Sequence, residues 1–521
     1  MTHIYKYIPV IILLSGSILA SCDDFLSEVP DNRTEVNTEA NVKALITSAY
    51  PEASAMFLGE YSSDNVDDYG PNNPYTYLFI EQMAYWKDVT ETNGQEDPYA
   101  LWSRSYKSIS AANQALEAIE ELGTPASLKP FKAEALLCRA YAHFILVNIF
   151  CQHYTEKYAT KDMGIPYVKV PETQLIVEYD RITVDSVYKE INKDIEEALP
   201  MIKDAYSVPK YHFNTKAAYA FATRFNLYAG RWDKVIEYAD KVLTSNPAVM
   251  MRNMEARAKM TRDEDVYTKD YIKPEYNCNL MLMTSLSQAG RYFGPYFNMS
   301  RITHGALIAE YETLKADGPW GRYTNYHVLP FIYQGTNLDK TLTMKLPFLF
   351  EYLDPVAMIG YPHTVYTAFS AEETLLARTE AYIMKEKYQE AVRDFNIWIK
   401  ANTKSAYVLK EEDVEKFINP IPYYEPNAPT LKKKLNPGFT VKSGKQESFI
   451  QFLLFVRRIQ TIHEGLRWFD IKRYGIEVDR RVVSANGKDV TIADQLLPRD
   501  PRCAIQLPQE VINAGLPANP R

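Results

Sequence analysis

Two segments of this 521-residue chain read as one repeated unit. "AAYAFATRFNLYAGRWDKVIEYADKVLTSNP" and "EETLLARTEAYIMKEKYQEAVRDFNIWIKAN" each hold two amphipathic runs joined by a short break. In the first, Gly230 supplies the turn, Trp232 a packing residue and Pro247 the stop. Val235, Ile236, Ala239, Val242 and Leu243 fall on one face of its second helix. In the second, Lys385-Glu386-Lys387 is the break, with Tyr382, Tyr388, Ala391 and Phe395 in matching places. Such a hairpin cannot bury its own apolar face, so other helix pairs must complete a bundle. That requirement constrains the fold more than any other feature.

Both units resemble the tetratricopeptide repeat, whose period is about 34 residues. Further helices are predicted at Val42–Tyr50, Tyr99–Leu122, Leu128–Phe150 and Val184–Leu199. Asn214 is placed to cap the helix that runs to Gly230, and Ser370 with Glu373 reads as a capping box. Phe449, Phe452, Leu453, Val456 and Ile459 begin the last long helix. Residues 56–98 show little helical periodicity, and 247–370 are mixed, with strand-like runs such as "HVLPFIY". The expectation is a mainly α chain: a tetratricopeptide-like helix-pair scaffold with irregular, loop-rich insertions. Its parts are a signal segment (1–21), a helix-pair region (22–246), a loop-rich specificity region (247–370) and a C-terminal region (371–521).

The N-terminus opens with one firm positive charge, Lys6, followed by an apolar run from Ile8 to Ala20. That length suits a signal peptide and falls short of the ~20 residues that span a bilayer. It ends Leu19-Ala20-Ser21-Cys22, which resembles the bacterial lipobox, so Cys22 is expected to become a lipidated N-terminal residue. Stable anchoring takes more than one acyl chain. The acidic tract behind it, beginning Asp23-Asp24, reads as a tether and resembles the export signals of surface lipoproteins.

The net charge of -8 offers no basic footprint for nucleic acid. Arg457, Arg458, Arg467, Lys472 and Arg473 cluster late, among acids and aromatics, and read as salt-bridge partners. Cys138 and Cys151 lie about 20 Å apart along one helix, too far for a disulfide, and read as buried thiols. His463-Glu464 has Arg467 where a zinc protease needs its second histidine. No phosphate-loop, dinucleotide or nucleophile-elbow motif occurs.

The candidate chemistry is a binding surface. Sugar C–H faces settle on aromatic rings, and hydroxyls pair with Asp, Asn and Arg. "SSDNVDDYGPNNPYTY" offers Asp64, Asn65, Tyr69, Tyr75 and Tyr77; "YWKD" adds Tyr85 and Trp86. "GRYFGPYFN" and "GPWGRYTNY" add Tyr292, Tyr296, Trp320 and Tyr323. Asp64, Asp67 and Asp68 also have the chemistry of a hydrolase pair or a structural calcium site. No other cofactor is expected. Trp468, Phe469, Trp232 and Tyr388 read as core.

"LWSRSYKSISAANQALEAI", "KAEALLCRAYAHFILVNIF", "YAGRWDKVIEYADKVL", "AEETLLARTEAYIMKEKYQEAV" and "IHEGLRWFDIKRYG" occur in this order behind the lipobox. The ordered set resembles the SusD/RagB family of Bacteroidetes outer-membrane lipoproteins. The resemblance implies four tetratricopeptide-like helix pairs and a non-enzymatic, surface-exposed protein. It further implies that the protein binds a nutrient, foremost an oligosaccharide, and delivers it to a SusC-like TonB-dependent transporter. Residues 247–370 match weakly, and "NPIPYYEPN" and "LNPGF" precede the last helix rather than ending the chain. A repeat-type adaptor for protein contact and a glycan hydrolase are the alternatives.

Overall fold

The structure, a computed structural model, describes residues 36–70, 73–91, 94–172, 177–296 and 299–521. The expected signal segment 1–21, the lipidation site Cys22 and the acidic tract behind it lie outside the described residues.

The apolar periodicity produces the expected helices. The N-terminal set is α1 (Glu39–Ile46), α2 (Met56–Ser62), α3 (Leu78–Ala84), α4 (Pro98–Glu121), α5 (Lys129–Phe150) and α6 (Val184–Ala198). The two repeat-like hairpins are α7 (Thr215–Tyr228) with α8 (Trp232–Leu243), and α9 (Ala371–Met384) with α10 (Tyr388–Asn402). The set closes with α11 (Glu411–Ile418), α12 (Lys445–Thr461) and α13 (Arg467–Tyr474). Helices α2 and α3 fall in the stretch where no helix was legible. Each is seven residues long, too short to display a period.

Packing follows the demand of the unpaired faces. α4 lies on α5 and α5 on α6; α7 pairs with α8, and α9 with α10. α8 then packs against α9, so the two hairpins are neighbours in space despite the insertion between them. α12 covers α9, and α11 covers α12. Helix α5 is long and apolar enough to cross a membrane, but here it is the central core helix, buried over its hydropathic window. Trp468 is fully buried, Phe469 is buried, and Trp232 and Tyr388 pack against the core.

Capping is local and chemical. Asn214 Oδ1 accepts the Ala217 N–H at 3.0 Å to start α7, and Ser370 Oγ accepts the Glu373 N–H at 3.1 Å to start α9. Only half of the expected capping box forms. The Glu373 carboxylate leaves its own helix end and takes Arg224 of α7 in a two-point grip of 2.5 and 2.6 Å. Gly230 ends α7 with φ +71°, a conformation that costs glycine little.

The strands are short and sit in the insertions. β1 (Asp67–Asp68), β3 (Ile302–Thr303), β8 (Val478–Val483) and β9 (Val490–Leu496) form one sheet in the order β3-β1-β8-β9. β2 (Asn279–Ser285), β7 (Ile359–Ser370) and β6 (Leu349–Asp354) form a second, in the order β2-β7-β6. β4 (Phe331–Gly335) pairs with β5 (Leu338–Leu342). β7 runs directly into α9, so the second sheet is rooted in the repeat scaffold.

Candidate functional site: an aromatic ledge on the insertion

The acidic loop is not a ligand surface. Asp64 is buried, and its two oxygens meet Arg467 at 2.8 and 2.9 Å, with Arg458 and Lys433 at 3.4 and 3.6 Å. Burial alone would raise its pKa, but Arg458 and Arg467 hold it well below the usual carboxylate range. Asn65 is fully buried between Arg458 Nε (2.9 Å) and Glu60 (3.0 Å). Asp67 is gripped by Arg481 at 2.8 and 2.9 Å. Asp68 is taken by Arg301 at 3.0 Å and by Tyr85 at 2.6 Å. These oxygens are occupied by guanidinium and phenol groups. Among the described residues no group of three His, Cys, Asp or Glu side chains gathers as for a metal ion.

The same loop is held through its backbone. Arg480 is buried and donates to the carbonyls of Ala84, Val66, Tyr61 and Ser63. The late basic cluster therefore has its partners at the other end of the chain as well as nearby. Arg457 clasps Asp470 at 2.7 and 2.8 Å, and Arg473 reaches Glu380 of α9 at 2.5 Å. Arg458 and Arg481 share Glu312 at 2.9 and 2.8 Å. Bidentate guanidinium–carboxylate geometry makes these contacts strong and orientation-specific.

Several predicted aromatics are also interior. Tyr69 is buried, its ring lying over the backbone of Gly305. Trp86 is buried and its indole N–H donates to the Ser62 carbonyl at 2.8 Å. Trp320 is a core residue, stacked on Phe455 of α12 at 6.0 Å and tilted against Trp398 of α10 at 5.4 Å. Tyr323 is half-buried against the core, with Lys315 over its ring. The physical reason is shared: each ring had a large apolar face to hide and a neighbouring element to hide it against.

Tyr75, Tyr77 and Tyr296 behave differently, and Tyr292 joins them from below. Tyr75 and Tyr77 are 46% and 43% exposed. The Tyr77 ring packs edge-on against Tyr292 at 6.1 Å and stacks with Phe79 at 6.2 Å. Tyr292 is buried on Phe57 (4.8 Å), so Tyr77 stands on a rigid aromatic base. Half-buried Tyr296 lies 5.5 Å from the Arg291 guanidinium, which also sits 5.6 Å from the Phe348 ring. Arg291 and Phe348 carried no distinguishing mark in the sequence. Their placement comes from Gly290, where a side chain would collide with the backbone of Pro347 and Phe348 at 2.5 Å. Glycine thus lets the two segments touch.

One buried cation shapes the ledge. Lys340 Nζ donates to the carbonyls of Tyr292 (3.2 Å), Gly294 (3.0 Å) and Tyr296 (2.9 Å). Burial lowers its pKa to about 7. His463 packs flat on Phe293 at 4.8 Å, and burial keeps it neutral. It is a satisfied interior histidine rather than a ligand.

On the N-terminal side of the same segment, a groove of about 450 Å³ opens between Tyr50, Glu52, Arg104, Lys107, Tyr211 and Thr284. Its size fits the range of small-ligand clefts. The ledge offers ring faces and a guanidinium, and the groove offers mixed polar groups.

These features define a helix-repeat scaffold whose insertions carry a partly exposed aromatic surface. Residues 24–227 match the family model SusD-like_3, described as "Starch-binding associating with outer membrane". A relative named SusD-like protein P38, from Formosa agariphila, is 23% identical over 499 residues, covering 89% of this chain and 90% of the relative. Among solved structures, a SusD superfamily protein from Bacteroides thetaiotaomicron aligns over 92% of this chain and 98% of its own, with 17% identity and a TM-score of 0.62. A structure titled putative sugar binding protein, from Bacteroides vulgatus, covers 94% and 99% with the same identity and TM-score. Residues 24–227 are thus similar to the SusD-like family, and the fold of the chain is that of the solved SusD superfamily structures.

Proposed function

We propose that the protein is a non-enzymatic nutrient-binding lipoprotein of the outer membrane, anchored through Cys22 and facing outward. It captures an oligosaccharide on the Tyr75–Tyr77–Arg291–Tyr296–Phe348 ledge and delivers it to a SusC-like TonB-dependent transporter. Residues 247–370 supply Arg291, Tyr296 and Phe348 to that ledge and so bear on the ligand specificity. The observation that carries the reading is the contrast within the aromatic set. The acids of the N-terminal loop are locked inside, while Tyr75 and Tyr77 are exposed and half-buried Tyr296 lies 5.5 Å from the Arg291 guanidinium. Descriptions of the family and its relatives as starch- or sugar-binding support the same ligand class.

The test is direct binding by calorimetry to a panel of malto-, cello-, xylo- and manno-oligosaccharides. Tyr77→Ala and Tyr296→Ala are each expected to weaken the bound member at least tenfold, about 1.4 kcal/mol. Wild-type protein that binds no member, or ledge variants that bind as wild type does, would refute it. Loss of fatty-acid labelling in Cys22→Ala checks the anchor, and affinity capture from outer membranes checks the transporter.

A further inference from the structure

The most exposed apolar feature of the described chain is the β6–β7 hairpin. Every residue from Phe350 to Ile359 is exposed, with Val356 at 95%, and Leu353 and Met358 at 66%. The side chains are ordered by depth. The tip, Pro355 to Gly360, carries no charge. Behind it stand Tyr352 and Phe350, edge-to-face at 4.8 Å, and across the strand pair Tyr361. An aliphatic tip with an aromatic collar is the arrangement that partitions across a lipid–water interface.

The backbone and charges of the tip are prepared for such a medium. Asp354 Oδ1 accepts the N–H groups of Val356 and Ala357 at 2.9 and 3.0 Å, so the turn's donors are satisfied internally. Glu351, the other acid of the hairpin, stands opposite Tyr361 across the strand pair, at collar level.

The position selects the occupant. The hairpin leaves the body at Pro362, whose carbonyl accepts the Ser287 N–H at 3.2 Å, and the neighbouring Leu286 N–H donates to Glu52 at 3.0 Å. The hairpin root is thus tied to the N-terminal stretch that leads back through α1 toward Cys22. The fourteen Cα steps from Cys22 to Val36 can reach at most about 50 Å, which keeps the body close to the lipid. We propose that the β6–β7 tip inserts into the lipid surface as a second membrane contact beside the Cys22 anchor. The inference rests on the anchoring reading given above.

The test uses the lipidated protein in vesicles of lipid A and phosphatidylethanolamine. Cys138, Cys151, Cys278 and Cys503 are all buried, so a single introduced thiol takes a polarity-sensitive fluorophore under native conditions. Val356→Cys reports the tip; Val408→Cys, at 67% exposure between α10 and α11, reports open solvent. The expected result is blue-shifted emission at 356, quenched at least twofold by nitroxide lipids, and neither effect at 408. Protein that floats with vesicles while 356 remains as aqueous as 408 overturns the insertion and leaves the anchor standing. Protein that does not float overturns both. Shielding at 356 that appears only on adding solubilised outer-membrane proteins assigns the tip to a protein partner and overturns the lipid contact.

Discussion

Arg480 shows how much one side chain holds. Its guanidinium serves four carbonyls from Tyr61 to Ala84, and no carboxylate lies within ion-pair distance of it among the described residues. Arg480→Met would leave those carbonyls buried without donors, at about 1–3 kcal/mol for each group that finds no water. The expected total is at least 3 kcal/mol, read as a lower urea midpoint. Lys340 makes a prediction of another kind. An ammonium can serve three carbonyls and a neutral amine only two. Its pKa of about 7 means that the third bond weakens as the pH rises through neutrality. Glycan affinity at the ledge should fall severalfold between pH 6 and 8.5. Lys340→Met should bind weakly at both, with the pH dependence gone; a variant that keeps the wild-type profile removes Lys340 from the explanation.

At the scale of elements, Ser370 and Glu373 separate two accounts of the start of α9. A closed capping box would make their losses similar. The observed geometry gives them unequal jobs. Ser370→Ala removes one cap, about 1 kcal/mol. Glu373→Ala strips Arg224, a buried guanidinium, of its only carboxylate partner at hydrogen-bond distance among the described residues, which costs roughly 3–5 kcal/mol. Urea unfolding that ranks the two equally would contradict the structure. This scale is also where the sequence was most readable. α4 to α10 announced themselves because long amphipathic runs with Asn, Ser and Gly punctuation have few other solutions. α2 and α3 did not: each is about two turns long, and α2 is buried on every side, so neither displays a period. The loop acids misled for a physical reason. Asp64 and Asp67 carry the same local pattern whether they face water or arginines from a distant segment. The one clue was arithmetic: the arginines of α12, α13 and β8 needed counter-charges, and nearby acids were too few to supply them all.

Across the molecule, buried carboxyls divide into two opposed sets. Burial would raise Glu312 and Glu380, but the cations around them (Lys433, Arg481 and Arg458; Arg473 and Arg457) bring both down to about 2. Their contribution is present above about pH 4.5 and is lost as the pH falls toward 2, roughly 3 kcal/mol each. Glu60 and Glu96 are pushed by burial up to about 7. The folded state then holds protons that the unfolded chain releases, so their contribution is full below about 4.5 and is lost as the pH rises to 7. Buried His143, His153, His304 and His463 act in the opposite sense: burial lowers their pKa, so the unfolded chain takes up protons that the fold refuses, and their contribution grows as the pH rises to about 6.5. The double variant Glu60→Gln, Glu96→Gln should therefore gain stability relative to the wild type as the pH rises from 5 to 7 and leave the acid limb unchanged. Parallel melting-temperature profiles for the two proteins between pH 5 and 7 would refute the assignment.

The Arg480 clamp also dictates a schedule. Its contact with Val66 spans 414 residues of sequence. At 5–20 residues per second, translation takes roughly 20–80 s to supply that arginine after the loop has been made. For all that time Tyr61, Ser63 and Val66 have carbonyls without their donor, and Asp64 and Asp67 lack Arg467 and Arg481. The first structured part of the chain is therefore completed among the last. A newborn chain carries an open, sticky N-terminal third until its final fifth arrives, and any truncation before β8 leaves it open for good.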